Sequence, residues 1–222
     1  ICRLCILPLS AAVLCSCAGG IHMSAIDKSY STDTISVNAK IPQISGLSSK
    51  SLQESLNEEY TSTVTDLLNN FSKTAKTTGE QSSFDVRTAQ QYNKNGIYSV
   101  ITQIDCCSKY AQQNSFRITN NIDTKKCIKL DLTDLFSDDS YIDMLNERIS
   151  EAVASEPDKY ADLWEKPRLG HNQQFYINGK NLVVVYPPYE LSYYERGFVE
   201  IPLDLESMSG YLKPEYRCLA EN

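Results

Sequence analysis

Apolar positions along this chain recur with two periods, and the changes of period mark its elements. "TISVNAKIP" alternates Ile35, Val37, Ala39 and Ile41, the period of a half-buried strand, and Pro42 is expected to stop it. Beyond Gly46, the residues Leu52, Leu56, Tyr60, Val64, Leu67 and Phe71 return every three or four positions. That spacing predicts one long amphipathic helix, opened by a Ser51-x-x-Glu54 capping box. A single apolar stripe suits a helix lying on a sheet. Phe84, Val86 and Thr88 then alternate, "NKNG" (Asn93 to Gly96) turns the chain, and Ile97 to Ile104 runs back. A further hairpin is expected from Ser115–Asn120 and Cys127–Leu132, with residues 121–126 as its loop. Ile142, Leu145, Ile149 and Val153 predict a second helix capped by Ser137 or Asp138, and a short third one runs from Pro157 to Trp164. "QFYINGKNLVVVY" reads as a hairpin on Asn178-Gly179, a type I′ signal, and "GFVEIPLDL" as a last strand. Strands and helices do not alternate strictly. The pattern is α+β, with one long and one or two shorter helices packed on antiparallel sheets, in two subdomains, 34–122 and 123–220.

The first residues change the picture from a free domain to an anchored one. Arg3 precedes an apolar run from Leu4 to Leu14, too short for the roughly 20 residues of a membrane span but suited to a signal-peptide core. "LCSC" (Leu14, Cys15, Ser16, Cys17) fits a lipobox. Residues 1–16 are therefore read as a lipoprotein signal peptide, Cys17 as the site of lipid attachment through palmitate-type acyl chains, and 17–33 as a flexible tether. The expected location is extracytoplasmic, on a bacterial membrane. Cleavage before Cys17 removes Arg3 and takes the net charge from −7 to −8. Such acidity excludes a nucleic-acid partner, which needs basic patches, and favours cationic partners through steering.

Cleavage also leaves Cys106, Cys107, Cys127 and Cys218 as candidates for disulfides. Four cysteines permit three pairings; Cys106 or Cys107 with Cys127 is the most natural, and Cys106 with Cys218 stays open. Chemistry is otherwise scarce. The chain holds two histidines, His22 in the tether and His171 before a strand, and no triad, zinc, phosphate-loop or other cofactor motif. The acidic run Asp131, Asp134, Asp138, Asp139 lacks calcium-loop spacing and reads as helix caps. Tyrosines are the remaining signal. Tyr189, Tyr193 and Tyr194 fall in the connection between Pro187-Pro188, which ends a ladder, and Gly197. A loop so aromatic is a candidate partner-binding surface.

Three stretches carry a family resemblance: "VNAKIPQISGLSSKSLQESLNEEY", "KKCIKLDLTDLF" and "FYINGKNLVVVYPPYELSYYERGFVEIPLDLESMSGYL". Through Pro42, Ile44 and Gly46, then Lys126 to Phe136, then Leu182, Tyr186, Tyr189, Glu190, Leu191, Gly197, Ile201 and Pro202, the chain resembles a bacterial extracytoplasmic tandem of domains of unknown function. That tandem occurs in the lysozyme-binding region of RsiV-type anti-sigma factors, in the N-terminal region of PdaC-type peptidoglycan deacetylases and in stand-alone lipoproteins. The resemblance covers roughly residues 34–213. It implies an α+β fold in two parts and a non-enzymatic module that binds or senses a cell-wall component or a wall-acting protein such as lysozyme, a cationic muramidase. It also implies a framework role for Tyr189, leaving Tyr193 and Tyr194 to meet a partner. A peptidoglycan-modifying enzyme or accessory subunit is the alternative, a purely structural envelope protein a third. One departure stands out: the family's Gly-Gly-Ala-His is "YAQQNSF" here, Tyr110 to Phe116, so that turn needs another geometry.

Overall fold

The computed structural model describes residues 20–108 and 114–221. The expected signal peptide, Cys17 and most of the Tyr110–Phe116 turn lie outside the described residues. Among the described residues the architecture is α+β: a seven-stranded mixed sheet and a three-stranded antiparallel sheet, with two α-helices.

The first sheet begins where a tether is expected. Strand β1 (His22–Asp27) pairs antiparallel with Lys40–Ser45 of β3 (Ile35–Ser45), and β2 (Tyr30–Ser31) pairs with Ser36 and Val37. The residues of β1 are exposed except for the half-buried Met23, so no burial pattern announces it; the open edge of β3 supplies the backbone partners that order it. Nor does Pro42 end β3. It pairs with Ala25 of β1, beyond Ala39, the last residue that pairs with β4. Its missing N–H thus falls where β3 has a neighbour on one side only.

Helix α1 (Lys50–Thr78) crosses over from β3 to the parallel strand β4 (Ser82–Lys94). Its N-cap is Ser49, whose hydroxyl accepts from Leu52 N at 3.2 Å, rather than Ser51. Gly79 ends it in the left-handed conformation, φ 67°, with its N–H on Ala75 O. Leu56, Tyr60, Val64, Leu68 and Ala75 are buried against Val37, Ala39, Ile41, Phe84, Val86, Tyr98, Val100 and Ile104. Strand β5 (Ile97–Ser108) returns through a turn with Asn95 at φ 59° and Gly96 at φ 85°, both left-handed as a type I′ turn requires. Strand β6 (Asn114–Asp123) and the two-residue β7 (Ile128–Lys129) complete the sheet. The hairpin expected to extend to Leu132 is cut short because Leu132–Leu135 forms a 3-10 turn. There Asp131 N donates to Asp134 Oδ2 at 2.8 Å, within a capping box. Asp138 likewise accepts from Ser140 N at 2.9 Å, ahead of α2 (Tyr141–Ser155), whose N-cap is Ser140 rather than Ser137 or Asp138.

The second sheet holds β8 (Gln174–Asn178), β9 (Asn181–Tyr186) and β10 (Val199–Asp204), in the order β10-β9-β8. The β8–β9 loop is Gly179-Lys180, with positive φ at Gly179 alone. That is the signature of type II′ rather than the expected type I′. One face (Phe175, Ile177, Leu182, Val184, Tyr186, Ile201, Leu203) packs with Met144, Leu145 and Ile149 of α2. The other (Tyr176, Val183, Val185) meets Ile101 of the large sheet. The order of layers is α1, large sheet, small sheet, α2.

Pro157 to Trp164 makes turns, not a third helix. Trp164 N donates instead to Leu191 O at 3.1 Å, and such tertiary bonds outcompete a helix this short. Cys106, Cys107, Cys127 and Cys218 stand unbridged among the described residues. Cys106 faces Asn114 at one end of the β5–β6 ladder, whereas Ile97 faces Asp123 at the other. Nine residues of strand, roughly 30 Å, separate those ends. Cys127 follows the far end, and Cys218 O accepts from Asn95 Nδ2 there at 3.1 Å. A disulfide needs Cα atoms within about 7 Å, so neither Cys106 nor Cys107 can reach Cys127 or Cys218 in this fold.

Candidate functional site

The connection from β9 to β10 is a clamped loop. Pro187 and Pro188 cannot extend the ladder, and Glu190 N closes a turn onto Pro187 O at 3.2 Å. Tyr189 is thereby held at φ 73°, a left-handed conformation uncommon for a bulky side chain and concentrated at functional sites. Tyr194–Arg196 forms a 3-10 turn that Gly197 ends at φ 76°. Two buried residues, Leu191 and Ser192, anchor the loop from beneath. Ser192 Oγ donates to Asp162 Oδ2 at 2.9 Å, the Arg196 guanidinium pairs with the other Asp162 oxygen, and Arg196 Nη2 donates to Lys159 O at 2.6 Å. Trp164 Nε1 adds a bond to Glu190 O at 3.3 Å.

This clamp presents three aromatic rings to solvent: Trp164 is 50% exposed, Tyr189 53% and Tyr193 67%. Trp164 and Tyr193 meet edge to face, centroids 5.4 Å apart, and Tyr189 leans on Tyr194 at 5.1 Å. Large apolar rings fixed on a surface act as contact anchors at little entropic cost. Partial burial, and then the neighbouring Glu165 charge, hold the Glu190 carboxyl above the usual carboxylate range. The patch therefore has an acidic rim.

The tyrosines divide otherwise than the family resemblance implies. Tyr189, given a framework role, is exposed, whereas Tyr194 is half-buried with its hydroxyl shielded from solvent. Trp164 was not singled out in the sequence, although the sole tryptophan, set between Asp162 and Glu165 outside any apolar period, is the signal that marks it. His171 sits elsewhere, lining a groove between β6 and residues 169–175. Among the described residues no group of three or more His, Cys, Asp or Glu side chains is placed to hold a metal.

Residues 28–122 match the family described as "Deacetylase PdaC", and residues 133–206 match "Protein of unknown function (DUF3298)". The chain carries both domains. The aromatic surface lies within the DUF3298 domain, and the βαβ crossover within the PdaC domain. Anti-sigma-V factor RsiV of Bacillus subtilis (strain 168) is 28% identical over 196 residues, spanning 82% of this chain and 67% of its own. That relative is named as an anti-sigma factor rather than as an enzyme. Crystal structures of DUF3298 family proteins from Bacteroides fragilis (15% identity, TM-score 0.64) and Pseudomonas aeruginosa (11%, 0.61) share the fold. They cover 89% and 88% of this chain, and 96% of each solved chain aligns. No described helix is long and apolar enough to cross a membrane.

Proposed function

We propose that this chain is a non-enzymatic extracytoplasmic binding or sensing module for a cell-wall component or a wall-acting protein such as lysozyme, held at the membrane by lipid on Cys17. The observation that carries the reading is the clamped aromatic surface of Trp164, Tyr189 and Tyr193. Its acidic rim and the net charge of −7 suit a cationic partner, whose encounter is steered by charge and weakened by salt. The relation to an anti-sigma factor supports sensing over catalysis. The test is capture of lysozyme, and separately of purified peptidoglycan, by the full chain at low and at moderate salt. Tyr189→Ala with Tyr193→Ala is expected to weaken capture of one of them at least tenfold while the melting temperature changes little. Undiminished capture by that double variant sinks the reading.

A second reading, a peptidoglycan-modifying enzyme, has one observation behind it. A carboxyl held above its usual range beside a second carboxylate is the arrangement of a general acid. Release of soluble fragments from peptidoglycan, lost in Glu190→Gln, is the result that favours it; no release by the intact chain removes it.

A further inference from the structure

We propose that the groove between the two domains is a binding site for a neutral oligosaccharide, distinct from the aromatic surface. The groove encloses about 770 Å³, within the range of sites for small molecules. One wall is β6 of the PdaC domain. The other is the start of α2 and the coil 169–173 of the DUF3298 domain. Its charged side chains are already committed. Lys129 Nζ donates to Glu59 at 2.9 Å, Arg117 pairs with Glu200 and lies over the Phe198 ring, and Asp131 belongs to the capping box with Asp134. An anionic ligand therefore finds no cation without a counter-charge, and displacing the largely buried Arg117 from Glu200 is costly.

The uncommitted groups are neutral. The side chains of Thr119, Thr133, Asn172 and His171 line the groove and have no hydrogen bond within the protein among the described residues. Together they offer hydroxyl, amide and imidazole groups that both donate and accept, which is what a polyol requires. An apolar surface completes the site. Tyr141 is stacked on Phe136, centroids 4.6 Å apart and planes 6° from parallel, so its ring is held as a flat wall. Ile142, 41% exposed, lies beside it. A pyranose has both kinds of surface, C–H faces for the ring and hydroxyl edges for the polar groups. A purely apolar ligand would leave the polar wall unpaired, at a cost.

Calorimetric titration of the full chain with chitotetraose and with cellotetraose tests this, the two sugars separating recognition of an N-acetyl group from recognition of hydroxyls alone. Saturable binding of at least one is expected. Thr119→Val and Asn172→Ala should each weaken it about three- to tenfold, the effect of one hydrogen bond to a neutral group, and Tyr193→Ala should leave it within twofold. Thermal melts of each variant separate lost binding from lost folding, and His171→Gln replaces any variant that fails to fold. No saturable binding of either sugar, or binding indifferent to the groove variants, overturns the proposal. Binding abolished by Tyr193→Ala would place the sugar on the aromatic surface instead and overturn it equally.

Discussion

At the scale of single residues, two side chains hold conformations or charges that the fold must stabilise. Tyr189 keeps φ at 73°, which costs on the order of 1–3 kcal/mol, a strain that glycine would relieve. Against that relief stand the backbone entropy of glycine, about 0.5–1 kcal/mol, and the lost ring contact with Tyr194. These terms nearly cancel. Tyr189→Gly is therefore expected to leave stability within about 1 kcal/mol of the parent while lowering partner capture, as melting and pull-down together would show. Asp105 is the opposite case. It is 7% exposed, and burial alone would raise its pKa. Donation from Ser115 Oγ at 2.6 Å, from Gln103 Nε2 at 2.9 Å and from the Arg87 guanidinium outweighs burial and holds the carboxyl below the usual carboxylate range. A group whose native pKa is depressed contributes stability above its unfolded pKa and loses it as pH falls through the native one. Asp105→Asn should thus cost about 1–3 kcal/mol at pH 7, and the gap to the parent should close below pH 4 in urea melts.

At the scale of elements, the edge of β8 shows how the two sheets are joined. An edge strand presents unpaired backbone groups, and burying them without partners is destabilising. Here Asn121 Nδ2 donates to Phe175 O at 2.8 Å, Ile177 N donates to Ser99 Oγ at 3.1 Å, and Ser99 Oγ donates to Asn121 Oδ1 at 2.6 Å. Two buried polar side chains on β5 and β6 thus stand in for a missing strand. Asn121→Ala and Ser99→Ala should each cost about 1–3 kcal/mol by leaving a backbone group unpaired. Because the pair shares a bond, the double variant should cost less than the sum. Additive losses in denaturant melts would show that the two act separately. None of this was legible in the sequence, where Ser99 and Asn121 break the apolar pattern without saying what they face. What could be read were elements whose burial is local and periodic: α1 from Leu56, Tyr60 and Val64, and β3 and β4 from alternation. Elements ordered by partners distant in sequence could not. Strand β1 exists because β3 offers an edge, and Pro157 to Trp164 is unwound because Asp162 and Trp164 bond to the 190–196 loop. For the same reason the loop tyrosines could be found but not sorted, since exposure of Tyr189 and burial of the Tyr194 hydroxyl depend on that clamp.

At the scale of the whole molecule, the two matched domains share their interior. Tyr92 and Ile97, from the PdaC domain, belong to the same buried cluster as α2 and the small sheet. The Tyr216 hydroxyl reaches the buried Asp123 at 3.1 Å, Lys129 pairs with Glu59, and Arg117 pairs with Glu200 across the sheets. Separating the domains would expose Tyr176, Val183 and Val185 on one side and Ile101 on the other, and would leave the Phe175 carbonyl and Ile177 amide unpaired. Such an interface resembles a divided core more than the small, polar contacts of independent domains. Unfolding should therefore be a single cooperative transition, with calorimetric and van't Hoff enthalpies equal. Residues 128–221 alone, lacking Tyr92, Ile97, Ser99 and Asn121, should not give a dispersed amide spectrum. Two resolved transitions, or a folded fragment, would mean that the domains are joined only by their linker. In that case a ligand in the groove between them would be free to change their relative placement, whereas in a single cooperative unit it can only stabilise what is already docked.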